Sequence, residues 1–236
     1  MQIIGHRGAA GLALENTLGS LRAAILAGVD AIEFDVRATA DGELVLSHDA
    51  SLERIFKIDQ KVSQLKRKDI GKIKTSGGQP LVTLNQALSA VGNTPIVIEG
   101  KHAHWAKPLA KILQSQPTQK QFTVISFNHH ELHAFGELCP GIPLYALEHR
   151  NSFDAINAAR IYGFTGVDLN YWTLNPLSYW LARRHKLEVV VYTVNRPWIA
   201  SFLKLLFPRI RITTDVPNRM QFLRPKRLRH KTRNTA

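Results

Sequence analysis

The amino-acid sequence predicts an α/β fold, a closed (β/α)8 (TIM) barrel with a small insertion after its second strand. Three observations lead there. Eight short runs rich in β-branched residues recur along the 236 residues. Most are continuously apolar rather than alternating, as strands covered on both faces are. Amphipathic stretches of helical period separate them, and eight such alternations favour a closed barrel over an open doubly wound sheet. The length suits one barrel domain.

The first strand is I-I-G-H (3–6), and a helix over 17–28 follows, with Gly28 placed as its C-terminal stop. The second strand, A-I-E-F-D-V (31–36), runs into a hairpin. Asp41-Gly42 is a tight-turn signal, and L-V-L-S-H-D (44–49) returns the chain to His48. Residues 50–80 break the rhythm with a mixed pattern, including K-R-K-D-I-G-K-I-K (66–74) and Gly77-Gly78, and read as a small lid beside the barrel mouth. Further strands are expected at 95–99, 122–127, 142–147, 166–169, 188–194 and 210–215. Helices are expected at 83–91, 104–115, 129–137, 152–161, 176–185 and 196–206. The domain therefore runs over residues 1–223. A basic tail over 224–236 is expected to be disordered.

A hydrophobic fraction of 44% and a charged fraction of 21% are ordinary for a globular domain. No apolar run is long enough to span a membrane and no signal-like segment leads the chain, so a cytoplasmic protein is expected. Cys139, the single cysteine, can form neither an internal disulfide nor a thiolate metal site, and reads as a small buried hydrophobe. The charge is unusual: 31 Lys and Arg against 18 Asp and Glu give +13, and six of the basic residues follow Asp215, the last acid, in 224–233. Such a balance attracts phosphorylated ligands. Specific nucleic-acid binding is not expected, because it would rest on the tail alone, without interleaved aromatics. A weak contact of the tail with an anionic membrane surface is the remaining partner reading.

Chemistry is suggested by charge at strand tips. The first strand ends on His6 and Arg7, the second carries Glu33 and Asp35, and the hairpin ends on His48 and Asp49. Apolar strands with ionisable C-terminal tips mark the functional end of α/β barrels. Glu33 and Asp35, two apart, share the inward face. Like charges so close raise one another's pKa or require a cation. A hard divalent ion fits better than zinc, since no Cys or His stands nearby at zinc-like spacing. Glu99, at the tip of I-V-I-E, would complete a three-carboxylate site; the competing reading is an inward salt-bridge cluster with Arg7 or Lys101. His6 and His48 are the acid–base candidates, and Arg7 and Lys101 suit phosphate oxygens. Tyr192, at the tip of a later strand, lines the pocket or packs in the core. The other eight histidines show no comparable arrangement. Walker-type, dinucleotide-binding and nucleophile-elbow motifs are missing.

In order and spacing, H-R-G (6–8), E-N-T (15–17), E-F-D-V (33–36), D-G (41–42), H-D (48–49) and I-E-G-K (98–101) resemble a glycerophosphodiester phosphodiesterase of the bacterial, cytoplasmic type. S-F-N (126–128), Y-T-V-N (192–195) and T-D-V-P (214–217) are similar to that family's distal strand ends. The resemblance implies a TIM barrel with an insertion after the second strand, and metal-dependent hydrolysis of small glycerophosphodiesters to sn-glycerol 3-phosphate and an alcohol. It implies His6 and His48 as general acid and base, Arg7 and Lys101 on the phosphate, and Glu33, Asp35 and Glu99 on Mg²⁺ or Ca²⁺, with Glu15 and Asn16 shaping the site. The substrate's own glycerol hydroxyl would attack phosphorus, leaving a cyclic phosphate for water to open.

Three departures from the family pattern stand out. Leu14 replaces the usual proline before E-N-T, which affects loop stiffness. Gly100 replaces an aliphatic residue and is expected to loosen Glu99 against Lys101. Tyr192 stands where tryptophan is common and alters the alcohol pocket. Two further readings remain: a lysophospholipase-D-like phosphodiesterase at a membrane surface, against which Phe56 as the insertion's one aromatic argues, and a non-catalytic barrel that binds phosphorylated ligands.

Overall fold

The computed structural model describes residues 1–116 and 121–224. Eight parallel strands close on themselves: β1 (Gln2–Gly5), β2 (Ala31–Ala38), β4 (Ile96–Gly100), β5 (Phe122–Ser126), β6 (Leu144–Glu148), β7 (Gly166–Asn170), β8 (Glu188–Tyr192) and β9 (Arg211–Thr214), with β1 paired to both β2 and β9. This is the expected TIM barrel. The short β3 (Leu44–Leu46) runs antiparallel to β2, Val36 facing Leu46, so the hairpin extends the second strand beyond the barrel rim. The long helices between strands are α1 (Leu18–Leu26), α4 (Leu84–Val91), α5 (Ala106–Gln114), α6 (His129–Leu138), α7 (Ser152–Tyr162), α8 (Pro176–Arg184) and α9 (Pro197–Leu206). Thr17, Thr83 and Asn175 cap α1, α4 and α8 by accepting from the backbone three residues on, which is why those helices begin where they do.

Side chains of the barrel strands alternate between two cores. Outward residues such as Ile3, Phe34, Ile98, Val167 and Ile212 pack under the helices. Inward residues Ile4, Val97, Ile125, Tyr145, Leu147 and Val190 form an apolar plug. At the amino ends of the strands the Tyr145 hydroxyl donates to Glu188, which also pairs with Arg211. The opposite end, above the plug, carries the charges described below.

The insertion holds α2 (Glu53–Phe56), a 3₁₀ turn at Val62–Gln64 and α3 (Arg67–Ile70) around a small core of its own, with Leu52, Phe56, Val62, Leu65, Ile70 and Ile73 buried against Val45 and Leu81. Cys139 is buried, as expected. The domain edge differs from expectation by one residue. Arg224, read as the first residue of the tail, is buried, and its Nη2 lies 2.9 Å from Asp30 Oδ1. A charge run marks basic residues; it does not show that one of them meets a carboxylate folded back from the other end of the chain. The rest of the tail, 225–236, lies outside the described residues.

Gly100 leaves no gap beside its neighbours. A Cβ there would sit 2.2 Å from the indole of Trp105, which is fully buried against this strand and tilted on Phe135. Gly100 is what lets Trp105 close on the backbone of β4. We expect Gly100→Ala to lower stability by about 1–3 kcal/mol, the usual cost of overpacking, measurable by urea unfolding. A loss under about 0.5 kcal/mol would show that Trp105 can withdraw without cost.

Candidate active site

β2 and β4 pair with Asp35 opposite Glu99 and Glu33 opposite Val97, so the register itself brings three carboxylates to one patch. One oxygen from each of Glu33, Asp35 and Glu99 lies within 4.8 Å of the others, and all three residues are buried. Two cations share this space. Lys101 Nζ sits 2.6 Å from Glu99 Oε1 and 3.1 Å from Asp35 Oδ1. Arg7 Nε lies 3.4 Å from Asp35 Oδ2. Both readings of the sequence are therefore present at once, a carboxylate cluster and a set of ion pairs within it.

The turn after β1 explains how Arg7 arrives there. Arg7 (φ 48°) and Gly8 (φ 83°) are both left-handed, and a Cβ on Gly8 would meet the backbone of Ser20 at 2.5 Å. The bend aims the Arg7 amide at Glu33 Oε2, 2.8 Å away. Asn16, left-handed at φ 55°, donates to Asp35 Oδ2 (2.8 Å) and accepts from the Asp35 amide (3.3 Å). Glu15 holds Arg7 Nη1 at 2.9 Å and receives Arg54 of the insertion at 2.6 and 3.0 Å. Glu15 and Asn16 thus position Arg7 and Asp35 and do not line the cavity.

Each histidine has a carboxylate on its Nδ1. For His6 it is Asp215 Oδ1 at 2.6 Å, and for His48 it is Asp49 Oδ1 at 2.7 Å. Nε2 is the nitrogen of each ring that these carboxylates do not hold. Asn195, from Y-T-V-N, donates to Asp215 Oδ2 and accepts from the Asp215 amide. Arg37 donates twice to the His48 carbonyl (2.7 and 3.0 Å), and Arg54 also grips Asp49. Burial lowers the His48 imidazole below its ordinary value, against the pull of Asp35.

Burial would push Asp35 up, but Lys101 and Arg7 outweigh it and hold the carboxyl well below the usual range. Glu33 moves the other way: burial, then Asp35 and Glu99, push it far up. Its Oε1 is buried with no hydrogen-bond partner among the described residues. Burial and Asp35 push Glu99 up to about 8, with Lys101 opposing. Three buried oxygens within ion-binding distance, two on carboxyls that resist ionisation and one unpartnered, fit a hard divalent cation.

These groups meet at a cavity of about 240 Å³, lined in part by His6, Arg7, Glu33, His48, Glu99 and Lys101. The rest of its lining includes Phe127, Leu147, His149, Asp168, Tyr192 and Thr213, with Lys101 Nζ 5.9 Å from the Phe127 ring centroid. Tyr192 is among these lining residues, and its hydroxyl donates to the Glu148 carbonyl at 3.0 Å. A hollow of about 410 Å³ beside Gly42 and Lys111 lies apart from these residues.

Sequence reasoning passed over Asp215, Asn195, Arg37, Arg54, Asp168 and His149 as individuals. Asp215 and Asn195 stood in noted strand-end motifs, and His149 and Asp168 sit at or just inside strand tips, the one signal available. Asp168 lies four strands from β2 either way round the barrel, so it faces the carboxylate cluster. Oδ1 of this buried residue has no partner among the described residues, and burial pushes its carboxyl up to about 8.

A buried, cation-bearing acidic mouth of this kind belongs to the barrel enzymes, and comparison with known proteins narrows the class. Residues 6–225 match the model of the glycerophosphoryl diester phosphodiesterase family, and the chain belongs to that family. The Bacillus subtilis protein YhdW is 27% identical over 234 residues, 92% of this chain and 96% of its own. A lysophospholipase D from Rattus norvegicus is 44% identical over 63 residues, 27% of this chain and 20% of its own. In fold, a phosphodiesterase from Oleispira antarctica, solved in complex with the product sn-glycerol-3-phosphate, aligns with a TM-score of 0.88 at 21% identity, covering 94% of this chain and 96% of that one.

Two measurements test these electrostatics. Because burial and like charge push the Glu33 and Glu99 carboxyls up, a bound cation should compete with protons there: affinity for Mg²⁺ or Ca²⁺ should rise from pH 5 to pH 8 in calorimetry, and Glu99→Gln should flatten that rise. A pH-independent affinity would place the ion elsewhere. For Asp168 the folded pKa lies above its ordinary 3.8, so the fold favours the neutral form and stability falls as pH rises from about 4 to 8. The slope is at most about 1.4 kcal/mol per unit. Asp168→Asn should match the parent in urea unfolding at pH 4 and exceed it at pH 9; parallel curves would deny the shift.

Proposed function

We propose that this site hydrolyses small glycerophosphodiesters to sn-glycerol 3-phosphate and an alcohol, with His6 and His48 exchanging the protons. The observation that carries the reading is the matched pair of imidazoles, each fixed through Nδ1 by a carboxylate and each lining a cavity that also holds Arg7 and Lys101. The family membership supports it, as does the product named with the Oleispira structure.

Arg7 and Lys101 bind the phosphate and offset its charge; a guanidinium can do so through two parallel hydrogen bonds. Glu33, Asp35 and Glu99 would hold Mg²⁺ or Ca²⁺, which supplies charge stabilisation for phosphoryl oxygens when bound. The glycerol hydroxyl next to the ester attacks phosphorus, and one histidine takes its proton at Nε2. The other protonates the departing alcohol oxygen as its bond to phosphorus breaks. Water then opens the cyclic phosphate with the two proton transfers reversed, returning both histidines to their starting states. Asp215 and Asp49 keep the rings oriented and stabilise whichever imidazolium forms, as the carboxylate does in serine-protease triads.

A purely binding barrel would have no use for two imidazoles with oriented Nε2 atoms. His6→Ala and His48→Ala should each lower glycerol 3-phosphate release from glycerophosphocholine by about 10²-fold or more, with the fold retained by circular dichroism. EDTA should abolish release and Mg²⁺ or Ca²⁺ restore it. Turnover untouched by either substitution would favour the binding reading, and turnover untouched by complete chelation would remove the cation from the chemistry.

A further inference from the structure

We propose that the outer face made by α8, α9 and the loops that precede them docks on an anionic lipid bilayer. Three of the four tryptophans are exposed there: Trp172 (74%), Trp180 (54%) and Trp198 (64%). The fourth, Trp105, is fully buried. α9 carries two apolar stripes. Ile199, Ala200 and Leu203 face inward, while Trp198, Phe202, Leu205 and Leu206, at spacings of four, seven and eight, face out. A helix on a barrel needs only the first stripe; a second, contiguous and exposed, marks a contact surface. α8 adds Leu177 and Trp180, and the Tyr179 ring on Phe207, 5.0 Å between centroids, joins it to the end of α9.

Charge identifies the partner. After Asn170, up to and including Arg224, there are nine Lys or Arg against two Asp or Glu, a local excess of seven positive charges in the described part of this region. Both acids are used elsewhere, Glu188 with Arg211 and Tyr145 and Asp215 with His6. Arg184, Lys186, Arg196, Lys204 and Arg209 are exposed around the apolar stripe. A second copy of the chain laid face to face would set these basic rims against each other, whereas anionic headgroups complement them. Indoles favour the headgroup level, and long basic side chains lie along apolar surface with their charge in the polar layer. Arg184 already stands over the Trp180 ring at 5.4 Å.

The placing of the face bears on substrate. Trp172 follows β7 and Trp198 follows β8, both at the strand ends that carry the cavity, and Asn195 of the same loop holds Asp215. Contact through the Trp172 and Trp198 end of this face would bring the cavity mouth toward the lipid, where a phosphodiester on a single-chain lipid would be presented. The insertion does not compete for this part, because Phe56 is buried in its own core.

The test uses the full chain with vesicles of phosphatidylglycerol or of phosphatidylcholine. The protein should sediment with the first and stay in solution with the second, and its tryptophan emission should shift to shorter wavelength on the first alone. Trp180→Ser/Trp198→Ser/Phe202→Ser should weaken sedimentation at least tenfold while turnover of soluble glycerophosphocholine is unchanged. A chain ending at Arg224 should keep the emission shift. The proposal is overturned if the parent protein ignores phosphatidylglycerol, if the triple variant sediments like the parent, or if truncation alone abolishes the shift, which would assign binding to the tail. It is also overturned if the parent is a dimer by analytical ultracentrifugation that the triple variant dissociates. Emission of the parent decides the matter even if the triple variant does not fold.

Discussion

Three carboxylates and two cations share one buried space at the barrel mouth, and most of the surrounding structure is there to hold them. A charge withdrawn from water without compensation costs several kcal/mol. Asp35 is compensated twice over, by Lys101 and by Arg7, and stays ionised. Glu99 has only Lys101, which it shares with Asp35, and Glu33 has the Arg7 amide; burial and the neighbouring carboxylates push both carboxyls up. The left-handed turn at Arg7 and Gly8, the Asn16 amide and the Glu15–Arg54 pair all fix the positions on which this balance depends.

The insertion is thereby part of the site without supplying a cavity residue. Arg54 reaches across to Glu15 and Asp49, one behind Arg7 and the other behind His48. It ties the Arg7 side of the mouth to the His48 side through a small, separately packed core. On the other edge of the mouth, Asn195 plays the matching part behind His6 through Asp215. The two histidines are thus braced by different elements, so a change in one brace leaves the other intact.

The barrel and its order of elements were legible because a strand covered on both faces has a plain signature and because the helices carry their caps in sequence. Glu33, Asp35, Glu99, His6 and His48 were legible for a related reason: charge at the end of an apolar strand has no packing purpose. Their partners were not. Asp215 is 209 residues from His6, Arg54 is 39 from Glu15, and nothing local in either sequence neighbourhood announces the pairing. Arg224 failed the same way, since its carboxylate, Asp30, is nearly the length of the chain away. Asp168 was hidden differently. Within G-V-D-L it reads as one acid in a buried strand, and only closure of the barrel turns it toward the cavity.

The fit of Trp105 against Gly100 also constrains how the chain can change over time. The space that an aliphatic side chain would fill at position 100 is occupied by the indole, so the two positions behave as one unit of about constant volume. An inherited substitution at 100 costs least in a lineage whose residue at 105 has already shrunk, and the reverse order passes through an overfilled wall beside Glu99 and Lys101. Relatives that carry a branched residue at the first position should therefore lack an indole at the second, and the two sites should vary together or not at all.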